Sequence, residues 1–337
     1  MKDVFKICRS KISCYLLMIV LFLMSCKVSE SYNHPAGIAD VTLYRDVLST
    51  DSTSMAAVPW KEMFSDTLLQ KLIQEGIDNN LDLKIAMSRI KEAQANYQQG
   101  KAALYPALTL NASGPVNYSG KLISPTALFQ LYGSASWEAD IWGKLKNTKR
   151  ASMAALLQSE AYKRAVQTQL VSDIATNYTA LLALDAQLEV TLKTVENRAL
   201  DVEIMKKLKE SDVVTGAAVV QSEANRYSVE VTIPDLHQNI RGTENALSIL
   251  LGRSPGSIIR GSLTNQHAWS ELQTGVPAQL LSNRPDVMEA EYQLHYYFEL
   301  TKAAKKYFYP AVKKERSRKS FCRSRKSPGE SAGRYGV

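Results

Sequence analysis

The residue types that most often carry out chemistry are few and scattered in this chain of 337 residues. Its four histidines are far apart and match no metal-ligand spacing. They are His34, His237, His267 and His295. We find neither a nucleophile with its base nor a glycine-rich phosphate loop. The sequence therefore predicts no enzyme, no metal and no cofactor.

One cysteine stands in a pattern with chemical meaning. Four Lys and Arg residues among the first eleven precede an apolar run over residues 12–24, as in a signal peptide. The run ends in Leu-Met-Ser-Cys at residues 23–26, the pattern of a bacterial lipobox. This pattern predicts cleavage before Cys26 and attachment of diacylglycerol and an N-acyl chain to it, which together anchor a protein stably. The alternative is a cysteine that ends an ordinary secretory signal by chance.

The positive charge is concentrated at the C-terminal end. The whole chain carries +8, and residues 313–337 hold nine Lys and Arg against two Glu, so this tail alone carries +7. The other 312 residues are therefore nearly neutral. We expect no nucleic acid as a partner.

Two stretches alternate between apolar and polar residues, the period of a strand with one apolar face. The clearer one spans about residues 128–141, and the other about 107–119. A Gly/Ser/Pro-rich loop joins them, so they predict a hairpin. Each strand is long enough to cross a bilayer, and Trp137 and Trp142 suit a membrane interface. The alternative is a soluble hairpin with the tryptophans in its core.

Helical periodicity surrounds this hairpin. Asp66 is a good N-cap for a short helix, and a second helix over about 81–103 should end at Tyr105-Pro106. Long helices are predicted over about 149–210 and 217–251, with a turn between them and a kink at Pro234. The first has a heptad seam interrupted by Asp185 and would extend roughly 90 Å. Such helices must pair with others, and a coiled coil with a purely structural role is the alternative interpretation.

The chain also begins to repeat itself. A shift of 204 positions aligns the segment that starts at Asp82 with the one that starts at Asp286, without a gap. The match includes Tyr105-Pro106-Ala107 against Tyr309-Pro310-Ala311. We infer a second copy of the helix–hairpin–helix–helix unit that starts near residue 281.

Together these motifs resemble the TolC-like outer membrane efflux proteins, in particular the lipoprotein branch that serves tripartite pumps. Each motif is weak alone, and their order is specific. Besides the lipobox and Tyr105-Pro106, they are Trp-Glu-Ala-Asp-Ile-Trp-Gly at 137–143, Glu-Asn-Ala-Leu at 244–247, Leu-Leu-Gly-Arg-Ser-Pro at 250–255, Gly-Val-Pro at 275–277 and Leu-Leu-Ser-Asn-Arg-Pro-Asp-Val at 280–287.

The resemblance implies an α plus membrane-β fold, in which long antiparallel coiled-coil helices form a periplasmic tunnel. Each chain of a homotrimer would contribute strands to one barrel in the outer membrane of a Gram-negative bacterium. A periplasmic adaptor would connect the tunnel to an inner-membrane transporter, and small solutes or drugs would leave through it. The alternative function is a structural periplasmic coiled-coil lipoprotein without transport activity.

The site residues follow from the same resemblance. Four polar residues of the second strand are predicted to line the pore: Ser134, Ser136, Glu138 and Asp140. Alternatively, the two acids pair with Lys144 or Lys146 at the barrel rim. The predicted adaptor contact lies at the tip between the long helices: Asp212, Val213, Val214, Thr215 and Gly216. There, the alternative is a simple turn. Arg284-Pro285-Asp286 resembles a family signature, and its simplest role is to start a helix.

These expectations divide the chain as follows: a signal peptide at 1–25, an acylated tether at 26–59, the first repeat at 60–280, the start of a second repeat at 281–312 and a basic tail at 313–337. The tail shows neither alternation nor heptads. We expect it to be disordered and to arise from a truncated or frameshifted reading frame, so that most of the second repeat is missing. The alternative is a genuine tail that binds nucleic acid or acidic lipid.

Overall fold

A computed structural model of the chain describes residues 32–33, 59–113, 128–266 and 283–323. The α plus β fold class predicted from the sequence is confirmed. The elements in chain order are α1 (Trp60–Met63), α2 (Thr67–Asn79), α3 (Leu81–Ala102), β1 (Ala107–Ser113), β2 (Leu128–Ala139), α4 (Lys144–Glu210), α5 (Gly216–Glu230), α6 (Ile233–Leu250), α7 (Pro285–Lys305) and β3 (Val312–Arg323). Single 3₁₀ turns lie at Leu263–Asn265 and Lys306–Phe308.

Several helix boundaries follow from local chemistry. Asp66 caps α2 as expected, because its Oδ1 accepts a hydrogen bond of 2.7 Å from the N–H of Leu68. Pro234 does more than kink a helix: α5 ends at Glu230, and α6 begins again at Ile233 with Pro234 in its first turn. A proline is tolerated there because the first-turn N–H groups have no partner within the helix.

One of two compact units comprises residues 37–98 and 152–294, as far as these are described. Its core contains side chains from α2, α4 and α6, and the predicted seam of α4 contributes residues with almost no exposed surface. The largest buried side chains are Ile73, Ile174, Tyr178, Leu181, Leu182, Leu247 and Leu251. No helix in the described part of the chain is both long enough and apolar enough to cross a bilayer.

The other unit, comprising residues 1–36, 99–151 and 295–337 where they are described, contains the sheet. Its strands are antiparallel in the order β1-β2-β3. Leu108 lies opposite Ala135, which in turn lies opposite Arg316. One face carries large apolar side chains that are strongly exposed, including Leu108 at 83% and Leu110 at 74%. The apolar face of the hairpin is therefore exposed in the single chain, and Trp137, at 43% exposure, does not lie in a core.

The expectation of a disordered tail is wrong for residues 313–323. They form most of β3, which pairs with β2 along its whole length. Strand pairing joins backbone groups, so it can form without an alternating side-chain pattern. The internal repeat accounts for where α7 and β3 begin. A shift of 204 positions moves Leu81, the first residue of α3, to Pro285, where α7 begins. The same shift moves Ala107, the first residue of β1, to Ala311, one residue before β3 begins at Val312. The cysteine expected to carry lipid, Cys26, lies outside the described residues.

Candidate functional site

The predicted pore-lining residues of β2 lie on one face of the sheet. Ser134 is opposite Thr109 on β1 and Ser317 on β3. Ser136 and Glu138, two and four positions further along, point to the same side because side chains alternate along a strand. Asp140 follows the end of the strand. The structure therefore brings three of the four residues together on a polar face, the side opposite to Leu108 and Trp137.

The two acids of this set are already engaged at the end of the strand. Glu138 forms an ion pair with Lys144, and Lys313 lies 3.9 Å away on its other side. The Asp140 carboxylate accepts hydrogen bonds from the N–H groups of Leu145 (3.1 Å) and Lys146 (2.8 Å). A carboxylate in this position stabilises the start of a helix, which explains why α4 begins at Lys144 instead of near residue 149. Pairing of Glu138 with Lys144 is the alternative that the sequence left open.

Four of the five predicted adaptor-contact residues, from Asp212 to Thr215, form a compact turn between α4 and α5, and Gly216 is the first residue of α5. Asp212 adopts the left-handed conformation with φ 55°, and the N–H of Val213 donates to the carbonyl oxygen of Leu208 at 2.9 Å. This pattern closes the C-terminus of a helix, most often with glycine at the left-handed position. Val213 is 67% exposed, while Val214 is half-buried. The turn thus presents an apolar side chain on a fixed backbone.

The signature Arg284-Pro285-Asp286 starts a helix, as its simplest role requires. Pro285 is the first residue of α7. Arg284 reaches over it to Asp286, with Nη2 and Oδ2 2.5 Å apart, and this pair holds the pKa of the Asp286 carboxyl below its usual value. The pair is exposed, so its contribution to stability is small.

A half-buried ionic cluster that sequence reasoning missed involves Arg260, in the segment after α6. Its Nη2 donates to Oδ1 of Asp185 on α4 at 2.9 Å, and its Nε donates to the other carboxylate oxygen. Its Nη1 lies 2.5 Å from Oε1 of Glu244 on α6. The hydrogen bond to Asp185 is the main cause that raises the pKa of Arg260, against the opposing effect of burial. The only sequence signal was the charge of Asp185 within an apolar seam.

A second set of hydrogen bonds holds the same segment in place. The Tyr178 hydroxyl donates to Oδ2 of Asp66 at 2.7 Å and accepts from the N–H of Gly261 at 3.2 Å. The Gln266 amide also donates to Asp66 Oδ2, at 2.8 Å. Burial acts to raise the pKa of Asp66, but these bonds, together with those from the backbone N–H groups of α2, outweigh it and lower the pKa. One carboxylate thus caps a helix and anchors a distant segment.

Burial raises the pKa of Tyr178 to about 12, and the Asp66 carboxylate adds to this effect. The folded state therefore holds the phenolic proton more tightly than the unfolded chain, whose tyrosines titrate near ~10. The stabilising contribution of the protonated Tyr178 hydroxyl is complete below about pH 10 and is lost as the pH rises towards 12.

We predict that Tyr178→Phe lowers stability at neutral pH by about 1 kcal/mol. It should also make the thermal midpoint less sensitive to alkali, which helical circular dichroism at increasing pH measures; an unchanged alkaline slope contradicts the assignment.

No cluster of three or more His, Cys, Asp or Glu side chains suited to a metal ion occurs within the described ranges. A hairpin with an exposed apolar face and very long helices define a class of protein that combines antiparallel strands with long helices. Residues 72–253 match the model of the outer membrane efflux protein family. That match covers more than half of the chain, and the protein belongs to this family.

Relatives within the family include transport proteins with different names. The chain is 30% identical over 305 residues to the cation efflux system protein CusC of Escherichia coli K12, covering 87% of this chain and 65% of CusC. It is 31% identical over 280 residues to the probable outer membrane lipoprotein SilC of Salmonella typhimurium, covering 80% and 59%. The chain thus spans slightly less than two thirds of the length of these relatives.

Solved structures agree with this assignment. A crystal structure of CusC matches 92% of this chain and 74% of its own length, with a TM-score of 0.69 and 27% identity. The outer-membrane channel OprN matches with a TM-score of 0.73 over 88% of this chain and 73% of OprN. Its identity of 20% makes that likeness evidence of the fold alone.

Proposed function

We propose that this protein is the outer-membrane component of a tripartite efflux system and acts as a passive exit duct for small solutes or drugs. The observation that carries the proposal is the exposed apolar face of the β1–β2 hairpin in a member of the outer membrane efflux protein family. Leu108, Leu110, Leu131 and Trp137 are each between 43% and 83% exposed on this face. A lipid environment removes this surface from water at a gain of about 25 cal/mol per Å².

The long helices support assembly into a homotrimer. Along α4 and α5, large apolar side chains remain exposed in the single chain, among them Val190 (63%), Ile204 (54%) and Tyr227 (59%). Isolated helical pairs rarely leave such side chains in water, and packing against other copies buries them. Three chains would then line one conduit, with the polar face of β2 towards the pore.

The lipobox supports an outer-membrane lipoprotein that is anchored through Cys26 and extends into the periplasm. The relatives named for their cargo differ: CusC is a cation efflux protein, and a TtgC of Pseudomonas putida, 26% identical over 273 residues, is named for toluene. A passive duct fits this range because the transporter at the inner membrane can select the cargo. We assign no covalent chemistry to the chain.

The exposed turn at Val213 is the proposed contact for a periplasmic adaptor, which links the duct to the inner-membrane transporter. To test this, a photocrosslinking amino acid replaces Val213 in the native host, and the captured proteins are identified by mass spectrometry. We expect capture of an adaptor at Val213. The matched control is Leu192 on α4, which is 49% exposed and should capture a neighbouring copy instead.

The competing function is a structural coiled-coil lipoprotein without transport. Outer-membrane fractions solubilised in mild detergent distinguish the two, because a closed barrel gives a trimer whose electrophoretic mobility changes on heating. Chemical crosslinking should give a homotrimer. A chain that fractionates with the outer membrane but stays monomeric, with no adaptor captured at Val213, overturns the channel proposal in favour of the structural one.

A further inference from the structure

Exposed aromatic side chains surround the end of the sheet from which β2 leads into α4. Four of them lie in the segments that flank the strands: Tyr105 at 65% exposure, Trp142 at 36%, Tyr307 at 73% and Phe308 at 93%. Trp137, at 43%, belongs to the last part of β2. Aromatic rings with one polar edge favour the boundary between water and lipid. This end of the sheet therefore has the composition of a membrane interface.

The two tryptophans already use their polar atoms within the protein. Trp137 Nε1 donates to the carbonyl oxygen of Leu104 at 3.1 Å, and Trp142 Nε1 donates to that of Pro310 at 3.0 Å. The Trp142 ring also stacks on Tyr309, with centroids 4.8 Å apart. The rings are thus fixed in position, and their exposed apolar surface is available to an external partner.

Two cations of β3 lie beside these rings, on the same side of the sheet. Lys314 is directly opposite Trp137, and Arg316 is directly opposite Ala135. Directly opposed residues of an antiparallel pair share a face, so both cations belong to the face that carries Trp137 and Leu108. Both are exposed, and neither has a carboxylate within ion-pair distance among the described residues. They are spaced by about 7 Å along the strand.

Lys313 lies on the opposite face of the sheet and, unlike Lys314 and Arg316, has an acidic partner. It lies opposite Glu138, with Nζ 3.9 Å from that carboxylate. Among the cations of β3 whose side chains are described, Lys313 on the polar face pairs with an acid, and Lys314 and Arg316 on the apolar face do not. A long cationic side chain next to apolar surface lays its stem on that surface and extends its charge to the aqueous boundary.

We propose that Trp137, Lys314 and Arg316 form a headgroup site that binds the phosphate groups of anionic phospholipids at the membrane surface. The proposal goes beyond the channel function, which needs only apolar strand faces towards lipid. Phosphates of a nucleic acid offer the same charge, but a nucleic acid would leave Leu108 and Leu110 exposed to water. A bilayer accounts for the apolar face and for the cations at its edge together.

The test measures binding of the full-length chain, with Cys26→Ser to remove the acyl anchor, to vesicles of phosphatidylcholine with or without phosphatidylglycerol. Each Lys or Arg near an anionic surface contributes about 1 kcal/mol, so K314Q/R316Q should weaken partitioning into anionic vesicles about 30-fold. Neutral vesicles should show no difference. The charge-matched control K193Q/R198Q, at exposed positions of α4, should change partitioning less than about 3-fold.

Single substitutions on the same strand give a second control. K314Q should weaken binding about 5-fold, and K313Q, on the opposite face, clearly less. Equal losses in the two double variants, or no preference for anionic vesicles, overturn the proposal. So does a K314Q/R316Q variant that loses binding to duplex DNA but keeps its binding to vesicles. The trimer and adaptor tests of the channel can succeed or fail independently of these results.

Discussion

Replacing Arg260 by methionine should lower the free energy of unfolding of the helical unit by about 2–4 kcal/mol. Methionine keeps much of the aliphatic stem but leaves the carboxylates of Asp185 and Glu244 without their shared cation. The Glu244 side chain is only 13% exposed and that of Asp185 35%, so water replaces the lost hydrogen bonds incompletely. Thermal or urea unfolding followed by helical circular dichroism measures the loss.

The matched control is Arg284→Met. Arg284 also forms a close pair with an aspartate, but both side chains are more than half exposed. We expect a change below about 1 kcal/mol. A double variant that combines Arg260→Met with Asp185→Asn should lose less stability than the sum of the losses of the two single variants. The reason is that both substitutions remove the same interaction. Similar effects of Arg260→Met and Arg284→Met contradict a role for burial in the cluster.

Gly252→Ala should cost about 2–4 kcal/mol of stability, although it adds a single methyl group. Gly252 ends α6 with φ +67°, and a Cβ at this position would lie 2.7 Å from the carbonyl oxygen of Asn79 at the end of α2. The obstacle is backbone, so it cannot rotate away. The neighbouring residue Asn80 donates to the carbonyl oxygen of Leu250 at 2.9 Å, which holds the two helix ends together.

Gly242 is the natural control for this substitution. It lies within α6 and has no neighbouring atom within 4 Å of an added Cβ. Gly242→Ala should stabilise the helix by about 0.5–1 kcal/mol, because alanine loses less backbone entropy on folding. The two substitutions are chemically identical and should change the unfolding midpoint in opposite directions. A loss at Gly252 no larger than the change at Gly242 rules out the steric clash.

The sequence predicted what depends on neighbours along the chain. The cap at Asp66 and the alternation of β2 are local patterns, and the structure has both. The helix start predicted at Arg284-Pro285-Asp286 is also present, because α7 begins at Pro285. Beyond these, the arrangement of Ser134 and Glu138 on one face follows from strand period alone.

What the sequence did not predict depends on residues far apart in the chain. The Arg260 cluster joins positions separated by 75 and 16 residues, and no local period marks them. The strand from Val312 to Arg323 was missed because its side chains do not alternate, whereas the free backbone edge of β2 accepted it. The strand pattern predicts a pore-lining Asp140, whereas its role in starting α4 depends on where the helix begins.

The two outer edges of the sheet differ in how readily they accept another strand. The edge of β3 carries Lys313, Lys314 and Arg316, and its charge repels a second copy of itself. The edge of β1 is uncharged from Ala107 to Ser113, and in the described part of the chain β1 pairs only with β2. Two β3 edges therefore do not pair with each other, whereas the uncharged β1 edge can accept the β3 edge of a neighbouring copy. Such head-to-tail pairing closes into a ring of copies, as the proposed trimeric barrel requires.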